Sequence, residues 1–182
     1  MLRSFVWPAG SLTAYTGVMA APRTVLSDPA GAPGDRPAVT AAVTRGAARL
    51  LLALGCPPLA EVTIANGRRA DLMGVMADGA IVIVEVKSGL ADLRADTKWD
   101  DYLAFADRFY FAVPPGLTLA QVLDLAKPPD RVGLIVADAY DGAVVREAQA
   151  VPMAAARRKA LLIRLARLGA NRLGQTGDLA AP

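Results

Sequence analysis

Three charged residues stand where an apolar strand should exclude them. The run Ile81-Val82-Ile83-Val84 leads into Glu85 and Lys87, and Asp71 lies fourteen positions before Glu85. Side chains alternate faces along a strand, so Glu85 and Lys87 point the same way, in line with Ile81 and Ile83. Whether Asp71 joins them depends on one turn. Arg69 to Met76 and Ala80 to Lys87 read as two arms of a β-hairpin closed around Asp78-Gly79. A two-residue loop would set Asp71 opposite Val86, on the wrong face. A three-residue loop, Ala77-Asp78-Gly79, would set it opposite Glu85. Such loops favour a type I turn followed by a left-handed glycine, and Gly79 holds that position, so a positive φ at Gly79 is the expectation.

In the three-residue register the two carboxylates lie roughly 5 Å apart at Cβ and repel unless a cation sits between them. Oxygen ligands suit Mg²⁺ or Mn²⁺, which need only one or two carboxylates plus water and substrate phosphate. The backbone carbonyl of Val86 can add a ligand. Lys87, on the same face, can orient or deprotonate a water and offset charge developing on a phosphodiester. A carboxylate–lysine ion pair at a strand end would account for the same three residues without any catalysis. The bare pattern does not decide between the two.

Composition narrows the chemistry further. The 182 residues include no histidine, which removes imidazole acid–base catalysis, Ser-His-Asp triads and His metal ligands together. A lone Cys56 can form neither an internal disulfide nor a Cys-rich zinc site, which fits a reducing, cytoplasmic setting; it reads as a buried small hydrophobe rather than a nucleophile. From Arg146 to Pro182 seven basic residues face two acidic ones, while the rest of the chain is slightly acidic. That basic segment suits a polyanion, and equally suits a solvated helix face. No segment has the ~20 apolar residues needed to span a bilayer.

The elements that must position the site follow from pattern. Residues 1–37 are rich in Pro, Gly, Ala and Ser/Thr and read as a flexible extension; their weak likeness to a signal peptide is broken by Pro8 and Gly10, and Met19 is an alternative start. Ala38 to Leu54 has helical spacing and stops at Gly55-Cys56-Pro57-Pro58. A short strand before Asn66-Gly67, the hairpin, and a helix capped by Asp96-Thr97 and running to about Ala106 come next. Arg108–Val113 is a strand, Thr118–Ala126 a short helix, Val132–Ala137 and Ala143–Arg146 strands, and Met153 to Leu173 a long helix. The domain thus spans 38–173, with a frayed tail over 174–182. The fold class is α/β, a mixed central sheet with helices on its faces.

The order helix–strand–hairpin, with Asp71 and the Glu85-x-Lys87 motif followed by helix and strand, resembles the PD-(D/E)XK nuclease superfamily, the restriction-endonuclease-like fold. More closely, the segments EVTIANGRRADLMGV, IVEVKSGLADLRADTKWDDYLAFADRFYFAVPP and GLIVADAY resemble the MmcB family of bacterial DNA-repair-associated proteins, over roughly residues 38–172. The resemblance implies an αβββαβ core and a nuclease-type metal site at Asp71, Glu85 and Lys87. Ala70 replaces the motif's usual proline. Many superfamily members also draw an acidic residue from the first helix; this one has none, and Glu61 is the available substitute, as an outer ligand or as a partner for Arg68 or Arg69. Related nucleases place a Gln-x3-Tyr helix against the site, where this chain has Lys98 and Tyr102, expected on one helix face.

Ser88, after the site lysine, is expected to support it. The residues expected to contact DNA are Arg68, Arg69, Lys98, Trp99, Arg157, Arg158 and Lys159, with Arg164 and Arg167 extending the basic helix cluster toward phosphate backbone, although Trp99 also suits the core and the arginines of that helix do not share one clean face. Phe109 and Phe111 read as core, and Asp92, Asp96, Asp100 and Asp101 as solvated. The resulting expectation is a metal-dependent deoxyribonuclease working in DNA repair, with DNA and other repair proteins as partners and no membrane. Its alternative is a non-catalytic DNA-binding or scaffold module that kept the fold.

Overall fold

The computed structural model describes residues 36–117, 119–125 and 129–176. The expected extension therefore lies almost wholly outside the described residues, as does the end of the tail. Helix α1 (Arg36–Ala53) is followed by strands β1 (Pro58–Thr63), β2 (Arg69–Val75) and β3 (Ile81–Val86), then helix α2 (Leu90–Ala95) and a 3₁₀ helix (Trp99–Phe105). Strand β4 (Arg108–Val113), helix α3 (Leu119–Leu123), a 3₁₀ turn (Pro129–Arg131), β5 (Val132–Ala137), β6 (Gly142–Arg146) and α4 (Ala155–Thr176) complete it.

The six strands form one mixed sheet in sequential order. The pairs β1–β2, β2–β3 and β5–β6 are antiparallel, while β3–β4 and β4–β5 are parallel. Parallel neighbours require a crossover, which α2 with its 3₁₀ helix supplies for β3–β4 and α3 for β4–β5. Every residue of β3 is buried, as its unbroken Ile/Val run demands of a strand covered on both faces. Under α1, Val43, Ala47 and Leu51 pack on Leu72, Val82, Val84 and Tyr110. On the other face Met73, Ile81, Ile83, Phe109 and Phe111 meet Trp99 and Tyr102 of the 3₁₀ helix and Leu161 and Leu165 of α4. Each Val, Leu, Ile, Phe or Met among them, when fully buried, stabilises the fold by about 1.5–3 kcal/mol. The mixed, helix-flanked sheet is the expected fold class and is consistent with the restriction-endonuclease-like arrangement.

One buried charge ties the layers together. Asp107, 4% exposed, accepts from the backbone N–H of Ile81 and of Met153 and pairs with Arg158 at 2.5 Å. It fixes where β3 starts and where α4 enters.

Differences from the sequence expectation are local. Where a single helix from Asp96-Thr97 to Ala106 is expected, the structure has a 3₁₀ helix over Trp99–Phe105, preceded by an unexpected first piece, α2, that ends at Ala95. Lys98, not Asp96 or Thr97, caps the second piece, without a side-chain hydrogen bond. Helix α4 runs on to Thr176, and α1 begins at Arg36. Thr118 and Ala126, the expected ends of the short helix, lie outside the described residues. Cys56 is buried, and burial foremost, with the charge of Asp78, pushes its thiol up to about 12, so it is an inert core group. Among the described residues no helix is long and apolar enough to cross a membrane.

Candidate functional site

The β2–β3 hairpin closes through a three-residue loop. Gly79 N–H donates to the Met76 carbonyl, Met76 N–H to the Ala80 carbonyl, and Gly79 has φ +81°. The ladder pairs Val75 with Ile81, Gly74 with Val82 and Leu72 with Val84. One residue further, that register sets Asp71 level with Glu85. On the other side, the β1–β2 pairs Ala60–Leu72 and Val62–Ala70 set Glu61 level with Asp71. Three carboxylates from three adjacent strands thus stand in one row.

Asp71 and Glu85 are locked to each other's strand. The Asp71 N–H donates to Glu85 Oε1 at 3.3 Å, and the Val86 N–H donates to Asp71 Oδ2 at 2.8 Å. Asp71 is half-buried, and Glu85 and Lys87 are 5% and 6% exposed. Lys87 Nζ lies 3.8 Å from Glu85 Oε2, 2.6 Å from Asp96 Oδ2 and 5.7 Å from the centre of the Phe111 ring. Burial foremost, then the charge of Asp71, pushes the Glu85 carboxyl up to about 8. Burial also raises Asp71, against the Val86 hydrogen bond and Lys87. For Lys87, burial works to lower the value, but the hydrogen bond and charge of Asp96, with Glu85, outweigh it and leave the ammonium above its ordinary range. At neutral pH the lysine is a firm cation, and the two carboxyl groups hold a proton that water would not let them keep.

The remaining expected residues divide sharply. Glu61 pairs with Arg69 at 2.5 Å, both exposed, and Glu61 carries a left-handed φ of +55° on the outer strand. Tyr102 donates its hydroxyl to the Arg69 carbonyl at 3.0 Å and is buried, its own ionisation raised by burial and then by Glu85. It braces the hairpin. Lys98 is exposed at the head of the 3₁₀ helix, where a turn of three residues takes it off the face of Tyr102, so the two do not share a face.

Several expectations are corrected. Trp99 packs 5.7 Å from both Phe109 and Phe111, 7% exposed, so it is core and out of reach of a base. Arg68 is spent in a fork onto Asp101, at 2.8 and 2.7 Å. Ser88 binds Asp92 through both N–H and hydroxyl, tying the loop to the first turn of α2 instead of supporting Lys87. Arg157 donates to the Ala104 carbonyl and lies over the Phe105 ring, and Arg158 is held by Asp107, so both anchor α4. Lys159 is exposed. Asp92 and Asp96 are not simply solvated. Asp96 is the residue that sequence reasoning missed. It caps the end of α2, and with α2 unread there was no reason to aim it at Lys87.

Among the described residues no three acidic, Cys or His groups gather into a ready-made metal cage. The donors fit a hard divalent cation nonetheless. Mg²⁺ and Mn²⁺ keep most of their waters, and two carboxylates forced together in a partly dry site with raised pKa values are an arrangement that a dication relieves.

Three comparisons bear on this geometry. A family model described as DNA repair protein MmcB-like matches residues 27–180. A solved structure, the SPO1766 protein of unknown function from Silicibacter pomeroyi, is 38% identical with a TM-score of 0.69, covering 79% of this chain and 94% of that one. No curated protein matches.

Proposed function

The chain belongs to the MmcB-like DNA repair protein family, and from that premise we propose that it is a divalent-metal-dependent deoxyribonuclease of the PD-(D/E)XK type. The observation that carries the reading is the buried row of Asp71, Glu85 and Lys87, brought to one face by the three-residue turn. Asp71 and Glu85 would hold Mg²⁺ or Mn²⁺, with the Val86 carbonyl as a further oxygen. The ion, when bound, polarises the scissile phosphate and acidifies a bound water.

The chain's own groups supply the rest. The raised pKa of Lys87 makes it a donor rather than a base: its ammonium, aimed by Asp96, orients the attacking oxygen and offsets charge on the phosphate. With the ion held, Glu85 would be an ionised ligand, so the proton lost from that oxygen would pass to solvent water. Tyr102 and Phe111 wall the site and keep its dielectric low. DNA would be the substrate, in a cytoplasmic repair setting alongside other repair proteins.

The test is a nuclease assay on single-stranded, duplex, nicked and branched DNA with Mg²⁺ or Mn²⁺. Wild type should cut at least one of these, and Lys87→Ala and Asp71→Asn should each lose about 10²-fold or more in rate. Tight binding without any cleavage would replace this reading by a DNA-binding scaffold. Neither binding nor cutting at low salt would remove both.

A further inference from the structure

Helix α4 spends some of its basic residues on the fold and leaves others facing out. Arg157 and Arg158 pin its first turns to the 3₁₀ helix and Asp107, and Arg172 donates to the Ala60 carbonyl of β1 at 2.7 Å. Between these anchors α4 stands off the outer strand, leaving a groove of about 430 Å³. Glu61 and Thr63 form its strand wall, and Ile163, Arg164, Arg167 and Asn171 its helix wall. Arg164, Arg167 and Asn171 recur at steps of three and four, so they make one stripe along the helix. All three are exposed.

The groove's charge is not cancelled within it. Its acidic member, Glu61, is already paired with Arg69, which leaves the two arginines to set its sign. Its position matters as much. Glu61 is at once a wall of the groove and the residue level with Asp71, one strand spacing of about 4.8 Å away. A chain lying in the groove against Glu61 is therefore one strand spacing from the Asp71–Glu85 row.

Resting on the nuclease reading above, we propose that the β1–α4 groove carries one strand of DNA to the site, with successive phosphates held by Arg164 and Arg167 and a sugar edge against Ile163. Guanidinium forks match phosphate oxygens two at a time, and Asn171 adds a donor one turn on. The wall contains no aromatic ring, so contact is through the backbone and independent of sequence.

The experiment measures anisotropy of the full-length chain with a labelled single-stranded oligonucleotide across a salt series, alongside cleavage. Compared are wild type, Arg164→Ala/Arg167→Ala and Arg164→Lys/Arg167→Lys, with melting temperatures to confirm folding; both arginines are exposed, so the fold should hold. The alanine pair should weaken binding about tenfold or more and lower the slope of log K against log salt by about 1.4, two single-strand phosphates. The lysine pair should recover the slope and only part of the affinity. If wild type binds and cuts but the alanine pair matches it in affinity and slope, the groove is overturned while the nuclease reading stands. If polyglutamate displaces the DNA as well as unlabelled DNA does, the groove takes acidic chains in general and the proposal is wrong. If wild type neither binds nor cuts, both fail together.

Discussion

Replacing Glu85 by Gln should make the metal-free protein more stable and useless at once. Burial and Asp71 hold the Glu85 carboxyl near 8 in the folded chain, against 4.5 for an ordinary glutamate. A carboxyl raised by folding contributes no penalty below its unfolded pKa, where both states are protonated. As pH climbs from about 4.5 to about 8 the unfolded chain ionises and the native chain lags, so stability falls across that window. The full penalty above it is on the order of 5 kcal/mol as an upper limit. Glutamine keeps an oxygen for the Asp71 N–H and carries no charge. It gives up the Lys87 contact, which offsets part of the gain. Urea unfolding without metal should therefore show Glu85→Gln level with wild type at about pH 4 and more stable by roughly 2–3 kcal/mol near pH 9. Saturating Mg²⁺ should stabilise wild type and leave the variant unmoved. A variant less stable than wild type at pH 9, or a difference that ignores pH, would refute the reasoning that Glu85 is a strained, cation-hungry carboxylate.

Other outcomes follow from the same geometry. Metal binding at pH 7 should release close to one proton per site, read by calorimetry in buffers of different ionisation heat, since Asp71 and Glu85 share a proton that a dication displaces. Asp96→Asn should free Lys87, lower its pKa and cut turnover roughly 10–100-fold, with the alkaline limb of the pH–rate profile moving to lower pH while Asp96→Glu restores much of both. Gly79→Ala meets no atom within 4 Å, so it should cost only the left-handed penalty of about 1–2 kcal/mol in denaturant melts, with cleavage intact if the turn holds its register.

Much of the site was legible because it is local. A hairpin's register is set by its own loop, and Gly79 at the third loop position announced the turn that aligns Asp71 with Glu85. The Ile/Val run of β3 likewise announced burial on both faces. What escaped was whatever depends on distant partners. Six residues of α2 are too few to show a helical period, so the break at Asp96, and the aim of that carboxylate at Lys87, stayed hidden. Trp99 carries no sign of which side faces Phe109 and Phe111. On α4, Arg158 and Arg164 look alike in sequence; Asp107, about fifty residues upstream, takes one and leaves the other to solvent.

The Arg172 contact has a consequence for how the protein behaves in a crowded tube. Strand β1 ends the sheet, and an unprotected terminal strand is a template on which a second copy can stack. Here Arg172 occupies a main-chain acceptor of that strand, and the left-handed kink at Glu61 spoils its flatness. Arg172→Ala, or a chain shortened before Arg172, should precipitate on concentration well before it loses its thermal transition, because what it has lost is a guard against self-association.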